Sequence, residues 1–366
     1  MAGRFKLCVR NSIVKAINLC SSGSRLKEAD RNMEAILHIG TEKTGTTSFQ
    51  RYCYNNQAEL MEQGIFYPAG LGGENHRFIS MYGLEAENAD EAMRAMNIQT
   101  ASDQEKFRAK VEKTLDNQIS GISSGSVALF SSEHLHSRLK DVASIGRVKS
   151  LLDQFFEKVT VVVHLRPQID VAISLASTQA RVGGSVRESF FNQMKVDNPY
   201  YNYNMLVGMW EEVFGASNIR CISFNSSPDF LSWFTKSFDL RLPKVSTDYR
   251  INEALDVQTI AMINALVDSG TGQNIDFRVL DRLPVKEKLT LSQASARRLQ
   301  NAFVISNRAL IDRRDDMKVG DLQPAWHKFP EKGNLEKLSE RVFFAEGFAA
   351  LVGYYNDIIG EEKSKS

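Results

Sequence analysis

The stretch Ala35-Ile-Leu-His-Ile-Gly-Thr-Glu-Lys-Thr-Gly-Thr-Thr-Ser-Phe-Gln50 runs from a short apolar segment through a loop of glycine and threonine into a segment with helical spacing. Ala35 to Ile39 is β-compatible, Gly40 and Gly45 bracket a tight turn, and Phe49, Cys53 and Leu60 recur at helical intervals. The spacing predicts a strand, a loop and a helix. The first amides of such a helix have no partner within it and its dipole puts positive charge at the loop, so an anion of phosphate size is the natural occupant.

Gly40 to Thr47 matches the nucleoside triphosphate loop G-x-x-x-x-G-K-[ST] at both glycines and at the final threonine, but Thr46 stands where the lysine belongs. The loop's lysine is Lys43, three positions earlier. A lysine after the second glycine reaches over the β- and γ-phosphates, whereas one inside the loop sits nearer the bond joining the first phosphate to its substituent. The loop therefore suits a shorter charged tail than a triphosphate. The plainer alternative is a glycine turn with a surface lysine and helix-capping threonines.

Two further strands run into polar junctions. Val127-Ala-Leu-Phe130 is a buried-strand run ending in Ser131-Ser-Glu-His-Leu-His136, which puts Glu133 and His134 at a strand's carboxyl end, where ligands gather in open α/β sheets. A helix cap at Ser131 or Ser132 would explain the same residues without chemistry. Val159-Thr-Val-Val-Val-His-Leu165 is the strongest strand in the chain, β-branched in the manner of parallel strands buried on both faces. It leads into Arg166-Pro-Gln-Ile-Asp-Val-Ala-Ile-Ser174, where Pro167 suits a first helical turn and Ser174 lies about two turns along.

Thr41-Glu-Lys-Thr-Gly-Thr-Thr resembles the 5′-phosphosulfate loop of sulfotransferases that use 3′-phosphoadenosine 5′-phosphosulfate (PAPS), and Arg166 with Ser174 has the spacing of their 3′-phosphate motif. The phrase Leu165-Arg-Pro-Gln, with Ser174-Leu175 and Gln179, is similar to bacterial members. The resemblance spans roughly residues 34 to 260. It implies that Lys43, Thr44, Gly45, Thr46, Thr47 and Ser48 hold the phosphosulfate, that Lys43 also stabilises the leaving oxygen, and that Arg166 and Ser174 bind the 3′-phosphate. Glu133 or His134 would take the acceptor's proton, and family precedent calls for no metal. Lys332-Gly333 lacks the arginine that precedes it in the family's late 3′-phosphate element, so that part of the site departs from the pattern.

The fold expected is α/β, a P-loop-type three-layer fold with a central parallel sheet flanked by helices and a helical C-terminal part. Residues 1–33 form an N-terminal extension, and 34–366 a single domain in which 260–366 is mostly helical and contributes to the acceptor site. Helical stretches are read over Phe5 to Ile17, about 90 to 120, Tyr203 to Phe214 before Gly215, Ser292 to Asn301 and Leu335 to Ile359, with a strand at Asn218 to Phe224. The glycine-rich loop from Ala69 to Arg77 gives His76 a route to a substrate, although loop polarity alone accounts for it. Tyr200, Tyr201 and Tyr203 are candidates for lining a sugar or phenol pocket, or for packing.

With 45 Lys and Arg against 44 Asp and Glu the net charge is +1, so no global field points to nucleic acid or an anionic membrane. The four cysteines form no C-x-x-C pair, which argues against a disulfide framework or a zinc site. No segment approaches 18 continuous apolar residues, so no integral membrane segment is expected and a cytoplasmic protein is the simplest reading. The partner expected is a small-molecule or glycan acceptor. The rival functions are an ATP-dependent P-loop kinase, which the missing lysine at position 46 disfavours, and a non-catalytic binder of PAPS or its product.

Overall fold

The strands β1 (Glu34–His38), β2 (Ile65–Phe66), β3 (Val127–Ser131), β4 (Lys158–Leu165) and β5 (Ile219–Ser223) pair in the order β2-β3-β1-β4-β5, and every pairing is parallel. The computed structural model describes residues 33–237 apart from 124 and 228, together with 254–270, 280, 283, 285–339, 347, 348 and 351. The expected helix from Phe5 to Ile17 and nearly all of 340–359 lie outside the described residues.

Side chains alternate across each strand, so the strand residues divide between two cores. Ala35 and Leu37 of β1, Phe130 of β3 and Val159, Val161, Val163 and Leu165 of β4 face one core. Ile36, Leu129, Val162 and Ile222 face the other. The first core is closed by α3 (Arg77–Gly83), α5 (Ala101–Ile119), α7 (Val142–Leu152) and α9 (Tyr203–Phe214). The second is closed by α1 (Thr46–Asn55), Leu60 of α2 (Gln57–Glu62) and α10 (Phe230–Ser237). This is the three-layer α/β architecture expected from the sequence. Cys53 and Cys221 are free thiols buried in these layers.

A third core joins α8 (Gln168–Arg181), α11 (Val257–Asp268) and α12 (Gln293–Asn301), with α13 (Val304–Asp312) following. A buried amide network fixes the start of α8: Gln168 Nε2 donates to Asn307 Oδ1 at 2.7 Å, and Gln300 donates to Gln168 Oε1 at 2.7 Å while accepting from the Ile169 amide at 3.0 Å. Such a network rigidifies when every member is satisfied.

Three boundaries differ from expectation. The helix read over about 90 to 120 is two, α4 (Glu91–Ala95) and α5, because Asn97 turns left-handed at φ 57° and Thr100 restarts the chain with a capping box to Asp103. Pro167 occupies the cap position of α8 rather than its first turn. Leu335–Ser339 is a short 3-10 turn.

Candidate functional site

Strand β1 ends between β3 and β4, so its loop opens where the chain's connections depart toward opposite edges of the sheet, the usual ligand crevice of an open α/β sheet. The loop backbone is held from below. The Thr41 amide and hydroxyl both donate to the His164 carbonyl, at 3.0 and 2.8 Å, and the Thr44 hydroxyl donates to the Thr41 carbonyl at 2.7 Å. Gly40, Lys43 and Gly45 are left-handed, with φ of 56°, 71° and 85°. A Cβ at Gly40 would lie 2.6 Å from Thr46 Cγ2, so this position needs glycine for both conformation and space. Helix α1 then starts with no side-chain cap and no acidic residue in its first turn, leaving its dipole and amides suited to an anion.

Lys43 reaches along α8, where its Nζ donates to Thr178 Oγ1 at 2.7 Å. Burial lowers its pKa; Glu42 and Glu133 oppose that shift, while Arg181 and Arg166 reinforce it. Arg166 lies behind the loop, its Nη1 donating to the Lys43 carbonyl at 2.7 Å and its guanidinium 4.8 Å from the Phe224 ring centre. Its Nε is buried without a partner among the described residues. Ser174 sits half-buried on α8, one turn before Thr178.

Glu133 closes the other side of the loop. Its Oε2 accepts from Gln50 Nε2 of α1 at 2.7 Å, which fixes the carboxylate against the loop helix. His134 Nε2 lies 3.8 Å from Glu133 Oε1 and 3.3 Å from Asn75 Nδ2. Burial lowers the pKa of His134, with Glu133 opposing the shift.

These groups meet in a cleft of about 550 Å³ lined by Lys43, Thr46, Thr47, Glu133 and His134, with Leu175, Thr178 and Gln179 from α8 and Tyr200 from the loop before α9. Sequence reading did not single out Glu42, which also lines the cleft. The Tyr200 hydroxyl donates to Glu42 Oε2 at 2.9 Å, and His136 Nε2 donates to the Tyr200 carbonyl at 2.9 Å. Burial alone would raise the Glu42 pKa, but His136, the hydroxyls of Ser137 and Tyr200, and Arg138 outweigh it and hold the carboxyl below its usual range. Burial pushes the Tyr200 hydroxyl well up, and Glu42 adds to that.

Several expected residues fall elsewhere. His76 does not line the cleft: it is 0% exposed, and its Nδ1 accepts from the Ser131 amide at 3.0 Å. It therefore supports the end of β3 instead of reaching a substrate. Tyr201 and Tyr203 are fully buried, so Tyr200 alone of the three tyrosines lines the cleft. The Thr44 hydroxyl is spent inside the loop, and neither Arg166 nor Ser174 is among the residues lining the cleft. Lys332 is exposed, and Gly333 packs against the Leu291–Ser292 backbone away from the cleft lining. Helical periodicity was the available signal for two omissions: Gln50 is one turn beyond Thr46, and Thr178 one turn beyond Ser174.

Among the described residues no group of three or more His, Cys, Asp or Glu side chains is arranged to hold a metal ion, and no helix is long and apolar enough to cross a membrane. No family model matches the chain, and no curated protein matches it. Among solved structures it is similar to the crystal structure of a sulfotransferase from Alicyclobacillus acidocaldarius at 15% identity and a TM-score of 0.38, over 66% of this chain and 98% of that one. A similarity of that size does not define a family.

Proposed function

We propose that the cleft transfers a sulfuryl group from PAPS to a hydroxyl or amine of an acceptor. The observation that carries the proposal is the convergence of Lys43, Thr46 and Thr47 from the β1 loop with Glu133 from the carboxyl end of β3 on one cleft. The loop amides of the α1 start hold the 5′-phosphate, and Arg166 with Ser174 meets the 3′-phosphate, which requires Arg166 to offer N–H groups beyond the one bound to Lys43. Glu133 accepts the proton of the acceptor hydroxyl as its oxygen forms the new bond to sulfur. The bond from sulfur to the bridging oxygen breaks, and the Lys43 ammonium stabilises the charge left on that oxygen. The products are a sulfate ester, or a sulfamate where the acceptor is an amine, and adenosine 3′,5′-bisphosphate.

A kinase would need a cation over the β- and γ-phosphates, and Thr46 supplies none. The test is transfer from labelled PAPS to an acceptor panel by wild type, Glu133→Gln and His134→Ala. Loss of a general base costs about 10² to 10⁴ in rate with donor affinity retained. We expect that loss for Glu133→Gln. A loss confined to His134→Ala would move the base to the imidazole, and no transfer by wild type to any acceptor would favour a nucleotide binder.

A further inference from the structure

Glu133 stands at the cap position of α6 (His134–Arg138), its Cα and Cβ each 3.8 Å from where a Cβ at Gly40 would lie, so its backbone rests on the loop. Its carboxylate meets α1 through Gln50, a side chain 2% exposed. Gln50 Nε2 donates to Glu133 Oε2 at 2.7 Å and to Ser131 Oγ at 3.3 Å, which uses both hydrogens of the amide. Ser131 Oγ in turn donates to His38 Nδ1 at 2.8 Å. Burial, with His164 adding to it, holds the His38 ring neutral, so its Nδ1 can accept. Turning the Gln50 amide over would set its oxygen against a carboxylate that only accepts, and the network therefore admits one orientation.

An amide locked in this way acts on the carboxylate twice. It holds Oε2, which leaves Oε1, 3.8 Å from His134 Nε2, as the oxygen for an acceptor's proton. A hydrogen bond donated to the ionised carboxylate also favours the charged form, the one a base needs. Gln50 lies one turn beyond Thr46, on the helix whose first amides face the donor, so one helix sets the base and the donor in register. Lys43 of the loop, Arg77 of α3, His134 and the Tyr67 hydroxyl also act electrostatically on Glu133, and a change at Gln50 alters none of them.

We propose that Gln50 is the positioning residue of the base: it turns Glu133 Oε1 to the acceptor and keeps the carboxylate ionised, while the acceptor's proton goes to Oε1 and none leaves Gln50. This rests on the sulfuryl-transfer reading of the cleft with Glu133 as its base. The test is the pH dependence of kcat/KM for transfer from labelled PAPS to the acceptor panel by wild type, Gln50→Met and Gln50→Glu, each with and without Glu133→Gln. Gln50→Met keeps the length of the side chain and removes the donor. Its acid limb should move up by about one pH unit and its plateau rate should fall about tenfold, with adenosine 3′,5′-bisphosphate affinity within about twofold. Gln50→Glu sets a second carboxyl against the first, and because two such groups share a proton the limb should move up further. It carries the same test where the methionine variant does not fold. In the Glu133→Gln background Gln50→Met should cost less than about twofold, because Gln50 acts only through Glu133.

An acid limb unmoved in both single variants would overturn the proposal alone, provided Glu133→Gln still shows the loss of a base. So would a loss from Gln50→Met of the same size in both backgrounds, which a merely structural role produces. Wild-type rates in Glu133→Gln would instead refute Glu133 as the base, and no transfer by wild type would refute sulfuryl transfer; either result takes the positioning role with it.

Discussion

Arg166 and Lys43 are 123 residues apart in the chain, yet the guanidinium Nη1 of the first donates to the carbonyl of the second at 2.7 Å. Lys43 is held at φ 71°, a left-handed conformation that costs a non-glycine residue about 1–2 kcal/mol. A charge-assisted bond to its carbonyl offsets that cost. The bond ties the junction of β4 and α8 to the β1 loop, so the two motifs that the sequence presents separately act as one unit.

Arg166→Ala therefore removes a brace as well as the proposed 3′-phosphate contact. We expect adenosine 3′,5′-bisphosphate to lose about 1.5–3 kcal/mol of binding. Adenosine 5′-phosphosulfate, which lacks the 3′-phosphate, should lose clearly less. Equal losses for the two nucleotides, read by calorimetry, would restrict Arg166 to bracing the loop.

Lys43→Ala should act on the opposite end of the donor. Transfer should slow by about 10²-fold or more, because the charge developing on the leaving oxygen loses its cation, while the preference for a 3′-phosphorylated nucleotide is retained. Single-turnover rates alongside bisphosphate affinities check this. A variant that transfers at the wild-type rate would remove Lys43 from the chemistry.

The layers were legible because burial on both faces of the sheet leaves a dense β-branched signal, clearest in Val159 to Leu165, and because Gly215 marks the end of α9. The cleft was half legible. Lys43, Glu133 and His134 lie at strand ends where sequence and topology agree, but Glu42 and Tyr200 meet only through a contact across 158 residues that no local pattern encodes. His76 misled for the same reason: a histidine in a glycine-rich loop looks exposed until the end of β3 is packed against it. The division of the 90 to 120 segment turned on a left-handed Asn97, which periodicity does not register.

Gln300→Ala should destabilise the fold without touching the cleft. It leaves the buried Ile169 amide without its acceptor and takes from Gln168 Oε1 one of its two donors, the other being Asn307 Nδ2, at about 1–3 kcal/mol for the unsatisfied amide. Urea unfolding should show the loss as a lower midpoint with an unchanged slope. A change below about 0.5 kcal/mol would mean that the network contributes nothing measurable.

Acid should destabilise the protein before its carboxylates titrate. Burial pushes His76 and His164 down from 6.5 to about 4. Between those values the unfolded chain binds more protons than the folded one, so stability is full above about pH 6.5 and falls as the pH drops toward 4. Each histidine should cost about 2 kcal/mol by pH 5. Urea midpoints measured from pH 7.5 to 5 should decline across that window, and a flat profile would show that these rings find proton acceptors when charged.

Nucleotide choice bears most directly on the central claim. Titrating the full chain with adenosine 3′,5′-bisphosphate, AMP and ATP, each with and without Mg²⁺, should show the bisphosphate bound most tightly and independently of the metal. Tighter binding of ATP that depends on Mg²⁺ would contradict sulfuryl transfer and return the loop to the kinases.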